Sequence, residues 1–146
     1  YRPTTGELYM AAKGKGAFLN GKPIRVASTN KLEQAILCRD FGYEDSRRQA
    51  TMEELKILIT VLKGIRMPGS GALEMCEISK GAAQCHTNQK STSWDYAAAT
   101  LIVREAGGVV TDYDGKHWTP MSKSIAASCT QELHSELLEK IRKAAR

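Results

Sequence analysis

After residue 30 the sequence alternates short apolar runs with stretches whose apolar residues recur every three or four positions, and that alternation restricts the chain to a layered α/β core. Ala35-Ile36-Leu37-Cys38 reads as a buried strand. Leu55, Leu58, Ile59 and Leu62 fall at i, i+3, i+4 and i+7, which predicts a helix from Met52 to Lys63. Gly64 to Met67 reads as a short strand stopped by Pro68-Gly69. A second helix starts near Ser70, carries Ala72, Met75, Cys76 and Ser79 on one face, and ends at Gly81. Ala82 to His86 reads as a strand and Thr87 to Ser93 as a polar loop. A third helix runs from about Trp94 to Ala106 and stops at Gly107-Gly108. Val109 to Thr111 and Ser124 to Ala127 are strands separated by a turn over Asp112 to Gly115. The last helix aligns Leu133, Leu137, Leu138, Ile141 and Ala145. This order places helices over a largely parallel or mixed sheet.

Residues 1–30 have a different pattern. Leu8 to Ala12 reads as a strand, Gly14-Lys15-Gly16 as a turn, and Ala17-Phe18-Leu19 leads into Asn20-Gly21, a strong hairpin signal, before Pro23 to Val26 returns. This is a β-meander beside the 31–146 α/β portion. No nucleotide phosphate loop accompanies Gly14-x-Gly16. The domain expectation is therefore one unit over residues 1–146.

Charge and cysteine content narrow the function classes. The formal net charge is +5, carried partly by Lys13, Lys15, Lys22 and Arg25 and partly by Lys140, Arg142, Lys143 and Arg146. Neither group is a continuous run, and no nucleic-acid-binding motif accompanies them, so nucleic acid is not an expected partner. No apolar stretch approaches the roughly 18 residues that cross a bilayer, so a membrane is not expected either. Cys38, Cys76, Cys85 and Cys129 match no zinc spacing, and Cys76 and Cys129 read as buried thiols. With no secretory leader in view, the expected location is the cytoplasm.

Three segments carry candidate chemistry. Asp95 falls in the first turn of the third helix, where the helix dipole favours an ionised carboxylate; Thr92-x-x-Asp95 is open to two readings, a capping box or a hard-cation ligand. At Gly69-Ser70-Gly71 a strand meets a helix through small residues, which suits either a plain Ser N-cap or the approach of an anion or polyol. Asn88, in the polar stretch before Asp95, can donate to and accept from a hydroxyl-rich ligand or simply lie on a surface loop. His86 reads as a satisfied, partly buried histidine; His117 and His134 read as incidental.

Taken together, these segments resemble the inositol monophosphatase family of lithium-sensitive phosphatases. Trp94-Asp95-x-Ala97-Ala98 with Ile102-Val103-x-Glu105-Ala106-Gly107-Gly108 matches that family's second signature, Gly14-x-Gly16-Ala17-Phe18-x-Asn20-Gly21 its hairpin, and Gly69-Ser70-Gly71-Ala72 its helix start. The resemblance implies the αβαβα sugar-phosphatase fold, two or three Mg²⁺ ions and hydrolysis of a phosphate monoester. It implies that Asp95 binds metal and contacts the substrate, and that Gly69, Ser70, Gly71 and Asn88 line the substrate site. Asn88 stands where inositol-specific members place a Glu, which widens the substrate to another sugar phosphate or a phosphorylated nucleotide, as in bisphosphate nucleotidase or fructose bisphosphatase types. The family's first signature, Asp-Pro-(Ile/Leu)-Asp-Gly-(Ser/Thr), and its Glu-Glu ligand pair do not occur here; Asp112-Tyr113-Asp114-Gly115 is no substitute. The expectation is thus the C-terminal half of such an enzyme, with the N-terminal metal-binding half absent and the chain inactive alone. Association with that half or as a homodimer is expected. The alternative is a non-catalytic half-domain that serves as an interaction or scaffold module.

Overall fold

A computed structural model describes residues 1–144. The meander forms first: β1 (Tyr9–Ala12), β2 (Gly16–Leu19) and β3 (Lys22–Ile24) make a three-stranded antiparallel sheet. Its tight β2–β3 turn is set by Asn20 and Gly21, both at positive φ, 49° and 77°, as a mirror-image two-residue hairpin demands. A single 3-10 turn at Leu32–Gln34 then leads into β4 (Ile36–Cys38), α1 (Asp45–Leu58), β5 (Gly64–Arg66), α2 (Gly71–Ser79), β6 (Cys85–Asn88), α3 (Ser93–Glu105), β7 (Val109–Thr111), β8 (Ile125–Ser128) and α4 (Gln131–Ala144).

The second sheet has the order β5-β4-β6-β8-β7. β4 pairs in parallel with β5 and β6, and β8 pairs antiparallel with β6 and β7. The sheet is therefore mixed. Helices α1 and α4 cover one face, where Leu37, Leu55, Leu58, Cys85, Ala126, Leu133 and Leu137 form one apolar cluster. Helices α2 and α3 cover the other face through Cys38, Met75, Ile78, Tyr96, Ala99, Val103 and Ala127. Neighbouring residues of one strand thus serve opposite faces, as the pleat requires. The outer side of α2 and α3 packs on the meander through Tyr9, Ala17, Cys76, Ile102 and Ala106. The described layers run helix, sheet, helix, sheet, four of the five that the resemblance implies.

One carboxylate joins the meander to α3. Glu105 accepts the backbone N–H groups of Gly14 and Gly16 at 2.8 and 2.9 Å. These bonds hold the carboxyl below its usual range. A second link is the Val26 N–H bond to the Ala106 carbonyl, 3.1 Å. Gly108 permits the close approach, since a Cβ there would lie 2.7 Å from Val103 Cγ1 and 3.0 Å from the Ser128 carbonyl.

Three expectations shift. Helix α1 begins at Asp45, seven residues before the expected Met52, and ends at Leu58 rather than Lys63. Leu55 and Leu58 are buried, but Ile59 is 65% exposed, because the helix has ended and the chain turns toward β5. Thr87 and Asn88 belong to β6 and are buried, not part of a surface loop. Ala145, assigned to the last apolar stripe, lies outside the described residues. All four cysteines, not only Cys76 and Cys129, are buried free thiols. Among the described residues no helix is long and apolar enough to cross a membrane.

His134 is buried between Thr111 Oγ1 (2.8 Å) and Ser128 Oγ (3.1 Å), and burial, reinforced by Arg142, pushes its pKa down to about 4. The folded state therefore takes up this proton later than the unfolded chain, so stability falls as pH drops from 6.5 to about 4, by about 3 kcal/mol at most, and levels off below. Denaturant titration at stepped pH checks this, with the slope reduced in His134→Asn. In the same assay Leu58→Ala should lose about 2–5 kcal/mol and Ile59→Ala less than about 0.5, the difference between a filled core site and a solvated one.

Candidate functional site

The chain ends of the parallel strands converge at one rim of the mixed sheet. Asp40 follows β4, the Gly69-Ser70-Gly71 corner follows β5, Asn88 closes β6, and Asp95 opens α3. All six line one cavity of about 200 Å³. Crevices at the carboxyl ends of parallel strands are where open α/β sheets bind ligands. Helices α2 and α3 both start here, and neither Ser70 nor Thr92 makes a side-chain cap bond. Two sets of helix-terminal N–H groups therefore face the same space, a setting that favours an anion.

Sequence spacing of Thr92 and Asp95 suggested a capping box. The structure instead directs the Thr92 hydroxyl onto the Asp95 carboxylate itself, so the pair orients the acid rather than satisfying the backbone. Asp95 is exposed to the cavity.

The corner is held by groups that sequence reasoning missed. Glu74, fully buried, accepts the Gly69 N–H at 3.2 Å and lies 3.2 Å from His86 Nδ1. Nδ1 is also 2.9 Å from the Cys38 carbonyl, which calls for a proton on that nitrogen. The other ring nitrogen lies 3.2 Å from the Tyr96 hydroxyl, and that hydroxyl accepts the Asn88 amide at 2.9 Å. Burial, with Asp40 and Glu74 nearby, raises the Tyr96 phenol above its ordinary pKa, so it stays protonated. His86 is thus fully buried and satisfied, beyond the partial burial expected of it.

Asn88 Oδ1 accepts from the Lys90 N–H (2.9 Å) and from Arg47 (3.2 Å). The side chain is only 6% exposed and its amide is bonded at both ends, so it holds neighbours in place as well as lining the cavity. Arg47 and Lys90 line the same cavity as the carboxylates of Asp40 and Asp95. Lys90 is tethered by Glu44 at 2.7 Å. The signal for Asp40 was readable, an acid just past an apolar strand. Arg47 gave none, because the first half of α1 has no apolar stripe.

A second buried network backs the site on the opposite face of the sheet. Arg39 binds Glu54, Thr87 (2.7 Å) and Thr51 (3.0 Å), and Glu54 also accepts from Tyr113 (2.9 Å) and Gln89 (3.0 Å). It ties the end of β4 to α1, β6 and the loop after β7.

The residues present do not by themselves fit a magnesium ion. No group of three or more His, Cys, Asp or Glu side chains is placed to hold a metal among the described residues. A hard divalent cation takes about six oxygen ligands and needs carboxylates to offset its charge.

The sequence profile of the inositol monophosphatase family matches residues 1–146. A chloroplastic phosphatase of Arabidopsis thaliana is 39% identical over 134 residues, covering 91% of this chain and 36% of the relative. Human inositol monophosphatase 2 is 34% identical over 138 residues, covering 91% and 47%. The solved inositol monophosphatase of Anabaena superposes with a TM-score of 0.90 at 30% identity, covering 98% of this chain and 57% of the other. The chain thus spans about half the length of the proteins it matches, or less.

Gly71 has a steric role that substitution tests. A Cβ there would lie 2.6 Å from Tyr96 Cζ and closer still to the hydroxyl oxygen. Gly71→Ala should force the ring outward, break the Asn88 bond and cost about 1–3 kcal/mol. Thermal denaturation reads the loss, and the Asn88 side-chain amide resonances should shift with it. Unshifted resonances with unchanged stability would show that the corner has room to spare.

Proposed function

Because the chain belongs to the inositol monophosphatase family, we propose that it forms the substrate-facing part of a phosphomonoesterase. The observation that carries the proposal is the convergence of Asp95, Gly69, Ser70, Gly71 and Asn88, drawn from three separated segments, on one polar cavity. The two helix starts, Ser70-Gly71 among them, offer N–H groups to phosphate oxygens, while the Gly69 N–H is taken by Glu74. Gly69 and Gly71 leave space beside the backbone. Asp95 offers its carboxylate to a substrate hydroxyl or a cation, with the Thr92 bond fixing its direction.

Magnesium is part of this proposal for the active assembly. The family's ions would draw the Asp95 carboxylate from this chain and their remaining ligands from elsewhere. The carboxylates of Asp40 and Asp95, which line the same cavity, repel a bare phosphate, which favours a site where further cations are present. The substrate we propose is a phosphorylated polyol or sugar. The relatives named inositol monophosphatases support that class, and Asn88 widens it beyond inositol. Association with a carboxylate-bearing partner, or as a homodimer, belongs to the same proposal, as does a reducing, cytoplasm-like compartment suited to four buried thiols. The scaffold alternative rests on there being no three-ligand cluster among the described residues.

Complementation decides between the two. The 146-residue chain with Mg²⁺ and inositol phosphate or hexose phosphate should show no turnover above background. Adding the N-terminal half of human inositol monophosphatase 2 should restore magnesium-dependent phosphate release, and Asp95→Asn should lower it by at least about a hundredfold. Equal restored rates for the native chain and Asp95→Asn would remove Asp95 from the site. No restoration at all, with a stable complex formed, would favour the scaffold.

A further inference from the structure

Glu74, His86, Tyr96, Asn88 and Arg47 meet in one unbroken line of polar contacts that runs from under the glycine-serine corner to the cavity. The direction of each bond in that line is set by its neighbour. Glu74 is fully buried; one carboxyl oxygen takes the Gly69 N–H at 3.2 Å, and Oε2 has no hydrogen-bond partner. That orphan oxygen lies 3.2 Å from His86 Nδ1, and the Cys38 carbonyl lies 2.9 Å from the same nitrogen. Two acceptors facing one ring nitrogen exclude a lone pair there, so Nδ1 carries the proton.

The polarity then passes outward. With the proton on Nδ1, Nε2 is left as an acceptor, and the Tyr96 hydroxyl, 3.2 Å away, donates to it. The phenol has that proton to give, because burial raises its pKa. Its oxygen is then free to accept, and it takes the Asn88 Nδ2–H at 2.9 Å in a buried bond. The Asn88 oxygen therefore faces the other way, to the Lys90 N–H and, in a partly exposed bond, to Arg47. The two ends of a carboxamide are nearly equal in size, so packing alone does not choose between them. Gly71 belongs to the same device: a Cβ there would collide with the Tyr96 hydroxyl, which reaches Asn88 across the space that residue 71 leaves open.

We infer that Glu74, His86 and Tyr96 are positioning residues that lock the Asn88 carboxamide with its oxygen toward the cavity, so that the ligand group beside Asn88 must be a hydrogen-bond donor. The donor requirement rests on the phosphomonoesterase reading, in which that group is a hydroxyl of the phosphorylated polyol or sugar; the lock stands without it. Arg47 holds the place of the donor in the free protein through the longest of the three Asn88 side-chain bonds, 3.2 Å against 2.9 Å for the other two. A ligand hydroxyl takes that place. A ligand oxygen that can only accept meets another oxygen there and is turned away.

Nitrogen-15 NMR of the full chain tests the lock without any ligand. At neutral pH the His86 ring should carry its proton on Nδ1 and none on Nε2, and one Asn88 amide proton should exchange slowly with solvent. A proton on Nε2 overturns the inference whatever the variants do. Tyr96→Phe and His86→Phe should each speed exchange of that amide proton roughly tenfold or more, whereas Leu58→Ala, which costs stability elsewhere, should not. An Asn88 amide that stays protected in both relay variants overturns the inference, and so does one released as far by Leu58→Ala. In the assembly with the N-terminal half of human inositol monophosphatase 2, Tyr96→Phe should raise KM for a hexose monophosphate roughly three- to tenfold and lower kcat by less. An unchanged KM overturns the donor requirement and leaves the phosphomonoesterase reading standing. No turnover by the native assembly, with the lock seen by NMR, sinks that reading and the donor requirement together and keeps the positioning role of the three residues.

Discussion

The rim of the mixed sheet depends on a buried relay of polar groups. Glu74, His86, Tyr96 and Asn88 come from α2, β6, α3 and the end of β6, and each is at most 6% exposed. Removing such groups from water costs several kcal/mol unless each finds a partner. Here nearly every atom does: Glu74 takes the Gly69 amide through Oε1, the imidazole meets the Cys38 carbonyl and the phenol, and the phenol takes the carboxamide, while Glu74 Oε2 faces the imidazole at 3.2 Å without a hydrogen bond. An apolar filling of equal volume would hold the helices on the sheet as well. It would not aim the Gly69-Ser70-Gly71 backbone or fix Asn88 against Arg47. The relay therefore acts on position more than on stability.

The Arg39 network does the same on the opposite face. Its ion pair with Glu54 is nearly dry, and its hydroxyl partners come from α1 and β6. Burial, reinforced by Glu54, keeps the Tyr113 phenol protonated and able to donate to that carboxylate. The two networks flank β4 and β6, so strand ends that would otherwise fray are clamped from above and below. A cavity built on loops alone would lack this rigidity.

Most of the fold was legible because local and global signals agree. The hairpin at Asn20-Gly21, the Gly81 and Gly107 helix stops and the stripe at Leu133, Leu137 and Ile141 each report one local requirement. Legibility failed where polar residues are buried. His86, Thr87 and Asn88 alternate between two polar networks, so the covered second half of β6, Thr87-Asn88, reads like a surface loop although its first half reads as a strand. The front of α1 was hidden for a related reason: Arg47 serves the cavity, Thr51 and Glu54 serve Arg39, and none adds to an apolar stripe. Asp95 and the glycine-serine corner were visible as motif positions. Glu74 and Tyr96 were not, because their meaning lies in contacts between elements that sequence order does not record.

The cavity's charge pattern sets what chemistry is open to it. Two carboxylates, Asp40 and Asp95, and two cations, Arg47 and Lys90, share its lining with the starts of two helices. A neutral ligand would gain little from such a lining. A dianion would gain from the cations and helix ends but lose to the acids, unless positive charge lies between it and them. A divalent cation would supply that charge at neutral pH, and two lone carboxylates are too few to keep one there. The lining thus leaves Asp40 and Asp95 without enough neighbouring oxygen ligands to hold a cation by themselves.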